Sequence, residues 1–260
     1  MEKVQSADGT TIAYERSGSG PALVVALGAF NDRTNAKPLA GVLGSQFTVY
    51  AYDRRGCGDS DTGGAEYAIE REVEDLAAVL DAVALHAMGE LALVYGHSSG
   101  ASIAVEAAAR DVPMRALAVY EPPYAAGATL QIAGELAALA AAGQASETAE
   151  RFLLLTGVPA QAVEGMKQAP YWPRMSAFAG TLPHDATLAS GPIPAGLAGV
   201  SFPVLALAGG DSPDWATANA AAIGSAMPGG SSHVLPGQTH AIPAEVLAPV
   251  LSEFFLAVPD

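Results

Sequence analysis

Leu91-Ala92-Leu93-Val94-Tyr95-Gly96-His97-Ser98-Ser99-Gly100-Ala101-Ser102-Ile103 is the stretch on which the fold turns. Residues 91–95 form an apolar run of strand length, and residues 101–110 continue as a helical pattern. Between them stands Gly96-His97-Ser98-Ser99-Gly100, a Gly-x-Ser-x-Gly turn in a strand–turn–helix setting. A serine on so sharp a turn has a strained backbone, and a side chain at 96 or 100 would collide with adjacent main chain. The following helix directs its N-terminal amides toward the same point, where developing negative charge is stabilised. Ser98 is therefore a candidate nucleophile, while His97, inside the turn, is read as a packing or hydrogen-bonding residue.

Outward from this turn, residues 11–15, 22–27, 47–52, 116–120 and 203–208 read as further strands. Several are apolar on both faces, as in a sheet covered by helices on each side. Ile69, Val73, Leu76, Leu80 and Val83 recur at helical spacing, with Glu70, Glu74 and Asp81 opposite, which predicts an amphipathic helix over 68–86. Val246, Leu247, Val250, Leu251 and Phe254 predict another, entered through Pro243. The alternation implies an α/β fold with a doubly wound, mostly parallel sheet. From Pro123 to about Gly196 the strand rhythm stops, and helices are expected at 132–142, at 148–155 and within 157–172. The expected organisation is a core of residues 1–123 and 197–260, with residues 124–196 as a helical cap inserted after the sixth strand. Such an insertion covers the C-terminal edge of the sheet, where ligands bind.

Composition narrows the function. The 260 residues hold 12 Lys plus Arg against 27 Asp plus Glu, a net charge of −15. A surface so acidic repels phosphate backbones and anionic lipid heads, which leaves a small molecule as the expected partner, with no nucleic acid and no membrane. Half the residues are hydrophobic and 15% are charged, which excludes a disordered chain. Cys57 is the single cysteine, so neither an intrachain disulfide nor a cysteine-based metal cluster is possible, and no metal is expected. The first residues lack the basic-then-apolar build of a signal peptide, and no apolar run approaches the ~18 residues of a membrane span. A cytoplasmic location is the expectation.

A serine hydroxyl needs a base to take its proton. Of five histidines, His240 is the candidate: it follows the run 232–236 and the polar loop Gly237-Gln238-Thr239, just ahead of the last helix. His233 falls within the preceding strand-like run and is expected to face neighbouring structure. His86 ends a surface helix, and His184 is expected in a solvated cap loop.

Together with the elbow and His240, the stretch Asp53-Arg54-Arg55-Gly56-Cys57-Gly58-Asp59-Ser60 makes the chain resemble the α/β-hydrolase family over nearly its full length. The octapeptide is similar to that family's Asp-x-Arg-Gly-x-Gly-x-Ser turn, which implies a loop beside the site and makes Cys57 a loop residue. The resemblance also implies an oxyanion hole formed by the backbone amides of Ala29, in Gly28-Ala29-Phe30, and Ser99, with Phe30 on the substrate pocket. Leu27 stands where the family usually has a histidine, a change that backbone donors survive.

The third member of the site is where the chain departs from the family. Most members carry an Asp at the fourth position of a Gly-x-x-Asp-Pro turn. Here the turn reads Gly209-Gly210-Asp211-Ser212-Pro213, so Ser212 holds that position and Asp211 is one residue early. Asp214 is expected to cap the next helix. Glu121 stands at the end of the apolar run 116–120, before Pro122-Pro123, where a charge is costly unless paired. Zearalenone lactonases are similar in this respect, with a Ser-Ser-Gly elbow, a Glu after the next strand and no acid in the later turn. Pro170-Tyr171-Trp172 also resembles a Pro-x-Trp segment of their cap. Glu121 is thus the expected acid and Asp211 the alternative. Tyr171, Trp172, Met175 and Phe178 are the expected cap contribution to the substrate pocket, and Trp172 foremost.

These residues imply a serine esterase or lactonase working through an acyl-enzyme on an apolar substrate, with no cofactor. A serine at the elbow argues against the dehalogenases and epoxide hydrolases that use Asp there. It does not separate hydrolysis from acyl transfer, perhydrolysis, carbon–carbon cleavage or natural-product cyclisation. A non-catalytic ligand-binding protein on the same fold is the rival from another class.

Overall fold

The computed structural model describes residues 1–64, 67–125 and 127–259. Eight strands form one sheet: β1 (Glu2–Gln5), β2 (Thr11–Gly18), β3 (Ala22–Ala26), β4 (Thr48–Tyr52), β5 (Leu93–His97), β6 (Ala116–Tyr120), β7 (Val204–Gly209) and β8 (Gly230–Leu235). Their order is β1-β2-β4-β3-β5-β6-β7-β8. β2 pairs antiparallel with β1 and β4, and every pairing from β4 through β3 to β8 is parallel. The fold is the doubly wound, mostly parallel α/β sheet expected of the α/β-hydrolase architecture.

The central strands are apolar throughout because both faces are covered. Val24, Val94, Val119 and Ala206 face a cluster shared with α2 (Ile69–His86), α3 (Ser99–Ala109) and α9 (Asp214–Ala226). Leu23, Tyr95, Ala118 and Leu207 face the other way, against α1 (Lys37–Leu43) and α10 (Ala244–Leu256). Each fully buried Val or Leu contributes roughly 1.5–3 kcal/mol relative to exposure, so the sheet centre is the rigid platform of the molecule.

Among the described residues, five α-helices stand between β6 and β7: α4 (Leu130–Ala141), α5 (Ala145–Leu155), α6 (Ala160–Lys167), α7 (Trp172–Ser176) and α8 (Leu182–Ser190). They share a cluster of their own, including Leu136, Phe152, Trp172, Leu182 and Ala186, and Ala29 and Phe30 of the core pack against it. Phe30 meets Phe152 edge to face, with ring centroids 5.6 Å apart. The span 157–172 holds the short helix expected, α6, and α7 begins at its last residue with Pro173 in the first turn, where proline is tolerated.

Several local expectations are corrected. β1 is an additional edge strand of four residues, too short to announce itself. β5 lies two residues later than its apolar run and extends into the elbow as far as His97. Asp214 sits in the first turn of α9 and makes no side-chain cap hydrogen bond. His233 lies exposed on β8, an edge strand with no neighbour on its outer side. His184 belongs to α8 and stacks on Tyr67 with centroids 3.8 Å apart, so it is not a solvated loop residue. No described helix is long and apolar enough to cross a membrane.

Candidate active site

Ser98 joins β5 to α3 with φ 57° and ψ −128°, a conformation an L-residue adopts only where its surroundings enforce it. The glycines on either side have measurable reasons. A Cβ on Gly96 would lie 2.6 Å from the Ala101 Cα, and one on Gly100 would lie 2.3 Å from the Ala26 carbonyl oxygen. Gly28 faces the nucleophile candidate itself, since its Cβ would lie 2.6 Å from the Ser98 Cβ and 3.1 Å from Oγ. The Ser98 amide donates to the Tyr120 carbonyl at 2.9 Å, which ties the elbow to β6.

Glu121 leaves the end of β6 with φ 49° and is fully buried. Its Oε2 lies 2.6 Å from His240 Nδ1, and its Oε1 accepts the Gly209 amide at 2.8 Å. Burial acts to raise the carboxyl pKa. The His240 ring, the Ser212 hydroxyl beside it and the Gly209 amide outweigh that and hold it below the usual carboxylate range. A carboxylate at this distance accepts the Nδ1 proton, which leaves His240 Nε2 as the ring's free acceptor. Ser212, which holds the fourth position of the Gly209–Pro213 turn, thus stands beside the Glu121 carboxylate. Asp211 is exposed, and only its amide is engaged, donating to Gln238.

The backbone before His240 is held from the sheet. His97 Nε2 lies 3.0 Å from the His240 carbonyl and donates to it, and the Tyr120 hydroxyl donates to the Thr239 carbonyl at 2.7 Å. His97 and Tyr120 are register partners on β5 and β6 with stacked rings, and each immediately precedes a site residue. Burial, reinforced by the His240 ring, lowers the His97 pKa to about 4, so it stays neutral.

Phe30, at φ 61°, is the third residue here with left-handed backbone. Next to it, Asn31 Nδ2 donates to the carbonyls of Ala29 (2.7 Å) and Gly28 (3.3 Å). Because the Gly28 carbonyl and the Ala29 amide belong to one planar peptide and point oppositely, that tether also fixes the Ala29 N–H.

The loop at 53–60 is rigid for electrostatic reasons. Asp53, fully buried, accepts the amides of Arg33 (2.6 Å) and Asp59 (2.8 Å) and pairs with the Arg33 guanidinium. A Cβ on Gly58 would fall 2.2 Å from an Asp53 oxygen. Arg55 takes both oxygens of Asp75 at 2.7 Å, and Arg54 bridges Glu72 and Asp185, each at 2.6 Å. Cys57 is buried in this loop, and burial raises its thiol pKa to about 12, so it is unreactive.

Ser98, His97, His240, Ala29, Ser99 and Phe30 all line one cavity of about 620 Å³. Its remaining wall is mostly apolar, with Leu27 and Tyr95 from the sheet, Phe152, Leu153, Leu155 and Val158 from the insertion, and Trp215 and Ile242 from the C-terminal part. The expected cap contribution is corrected: Tyr171, Trp172, Met175 and Phe178 are not on this wall. Trp172 is buried inside the insertion, its indole donating to Ser146 Oγ at 3.0 Å, and Met175 packs against the same cluster. Phe178 is also buried, while Tyr171 is half exposed. Phe152, Trp215 and Asp185 are wall residues that sequence patterns did not single out, although Trp215 stands two residues after the Gly209–Pro213 turn.

A family model described as "Alpha/beta hydrolase family" matches residues 23–250. The chain belongs to the α/β-hydrolase family. The matched span contains the elbow, Glu121 and His240. This α/β-hydrolase is similar over 98% of its length to an alpha/beta hydrolase from Sphaerobacter thermophilus, all of which is covered, with 43% identity and a TM-score of 0.88. It also shares its fold with a thermophilic esterase from Thermogutta terrifontis (19% identity, TM-score 0.71, covering 99% of this chain and 98% of that one). An enol-lactonase from Burkholderia xenovorans shares it too (17% identity, TM-score 0.74, covering 98% of this chain and 100% of that one).

Proposed function

We propose that this α/β-hydrolase is a serine hydrolase that cleaves a carboxylic ester or lactone with an apolar acyl part. His240 Nε2 takes the Ser98 proton as Oγ attacks the carbonyl carbon. The carbonyl π electrons move to oxygen, and the resulting oxyanion is held by the amides of Ala29 and Ser99. Collapse breaks the carbon–oxygen bond of the leaving alcohol, which departs with the proton carried by His240. Water, deprotonated by the same ring, then attacks the acyl-enzyme and restores Ser98. Throughout, Glu121 keeps the imidazole in the accepting tautomer and stabilises the imidazolium. The residues named need no metal or organic cofactor for these steps.

The observation that carries this reading is the 2.6 Å contact between Glu121 and His240 Nδ1, on the cavity that also holds Ser98 at a positive-φ elbow. The apolar wall supports an apolar acyl group, and the esterase and enol-lactonase among the fold relatives support the reaction class. The carboxylate after β6, with Ser212 in the later turn, supports grouping with the zearalenone lactonase-like members. The helical insertion then serves as the cap, and the net charge of −15 favours a small-molecule partner in solution over nucleic acid or membrane.

Intact-mass measurement after incubation with a fluorophosphonate tests the nucleophile. Wild type should gain one covalent adduct and Ser98→Ala none, with turnover of an activated ester falling at least ~10³-fold in the variant. Near-wild-type turnover by folded Ser98→Ala overturns the reading.

A further inference from the structure

We propose that Asp185 makes this site selective for substrates whose acyl group carries no negative charge. The inference rests on the hydrolase reading above and concerns which esters that chemistry accepts.

Asp185 projects from α8 of the insertion, is 2% exposed and lines the cavity beside Ser99. Its Oδ1 receives both the Ser99 hydroxyl, at 2.5 Å, and Arg54 Nη1, at 2.6 Å. Arg54 in turn spends its Nε and Nη2 on Glu72, at 3.2 and 2.6 Å. One guanidinium therefore faces two carboxylates, and the cluster retains one negative charge next to the residue that follows the nucleophile. Asp185 Oδ2 is buried and has no hydrogen-bond partner among the described residues.

Nothing on the cavity wall offsets that charge. Among the described residues lining it, none is Lys or Arg, and most of the rest is aliphatic or aromatic. A substrate carboxylate entering here gives up hydration, finds no counter-ion on the wall and meets a carboxylate that shares its one guanidinium with Glu72. At a separation of about 8 Å and an effective dielectric near 20, the Coulomb repulsion alone amounts to roughly 30-fold in kcat/KM, and lost hydration adds to it. The overall charge of −15 acts in the same direction at longer range. A neutral acyl chain escapes these penalties.

The test is a matched set of activated esters: p-nitrophenyl hexanoate, mono-p-nitrophenyl adipate, whose chain ends in a carboxylate in place of the methyl, and the methyl ester of the latter. Wild type should prefer the hexanoate over the adipate by at least ~30-fold in kcat/KM, and methylation should restore most of the loss. Asp185→Asn should narrow the hexanoate-to-adipate ratio about tenfold or more. The ratio is read within one protein, so a general loss of activity in the variant cancels. Glu72→Gln removes the other carboxylate from farther away and should narrow the ratio less, which keeps the test available if Asp185→Asn does not fold. Equal turnover of hexanoate and adipate by wild type overturns the proposal. An unchanged ratio in both variants removes the cluster from selectivity. Absence of turnover on all three esters overturns the hydrolase reading instead.

Discussion

Glu121 reaches His240 across 119 residues of sequence, with Oε2 2.6 Å from Nδ1, while its other oxygen is fixed by the Gly209 amide at the end of the neighbouring strand. The carboxylate arrives from β6 and is met there by the last residue of β7. Ser212, in the turn after β7, lies beside it. A carboxylate in both places would bring two negative charges together in a buried site.

Gly28 is the neighbour that leaves Ser98 least room. A methyl group there would stand 2.6 Å from the Ser98 Cβ, and Ser98 would have to move. Gly28→Ala should lower turnover of a good ester by ~10²-fold or more, because small misplacements of reacting groups cost that much. The stability loss should stay within about 1–3 kcal/mol. Full activity in a folded Gly28→Ala protein contradicts the close approach of these two residues.

Trp172 packs within the insertion, so its loss is a loss of core. Trp172→Ala should cost about 3–5 kcal/mol in urea-induced unfolding. Turnover of a small acetyl ester and of a bulky ester should fall by the same factor. A selective loss on the bulky ester would return Trp172 to the pocket wall.

Acid should destabilise the protein through two histidines. Burial lowers both His97 and His184 from the ordinary 6.5 to about 4, so the native state binds fewer protons than the unfolded chain between those values. Their contribution is complete above pH ~6.5 and is lost as the pH falls toward ~4, on the order of 2–3 kcal/mol for a fully desolvated ring. Glu121, held below its ordinary value, extends the loss to still lower pH. Urea midpoints measured from pH 7.5 down to 4.5 should decline accordingly, and His184→Gln should flatten the decline. An identical slope in His184→Gln removes that ring from the acid response.

How much of this was legible in the sequence depends on whether the constraint is local. The elbow announces itself because positions 96 and 100, two residues to either side of Ser98, leave no room for a side chain. Glu121 stands out because a charged residue closes an apolar strand, a conflict that only a partner resolves. Trp172 misleads for the opposite reason: an aromatic residue in a helical insertion satisfies its burial against its own helices as readily as against a ligand. The Arg54–Asp185 pair spans 131 residues and carries no spacing signature, since it exists only once the insertion has folded back over the loop at 53–60. The helical face of α2 conceals a similar case, in which Glu72 and Asp75 are buried by the two arginines they neutralise.

The central claim is that Glu121 orients His240 for Ser98. Turnover of one good ester by Glu121→Gln and Asp211→Asn, measured side by side after both are shown to be folded, tests it most directly. Replacing the Glu121 carboxylate by an amide keeps its shape and removes the charge that selects the tautomer, and should lower kcat by ~10³ to 10⁴-fold. Asp211→Asn, on an exposed turn, should stay within a few-fold of wild type. An inactive Asp211→Asn beside an active Glu121→Gln would contradict the account.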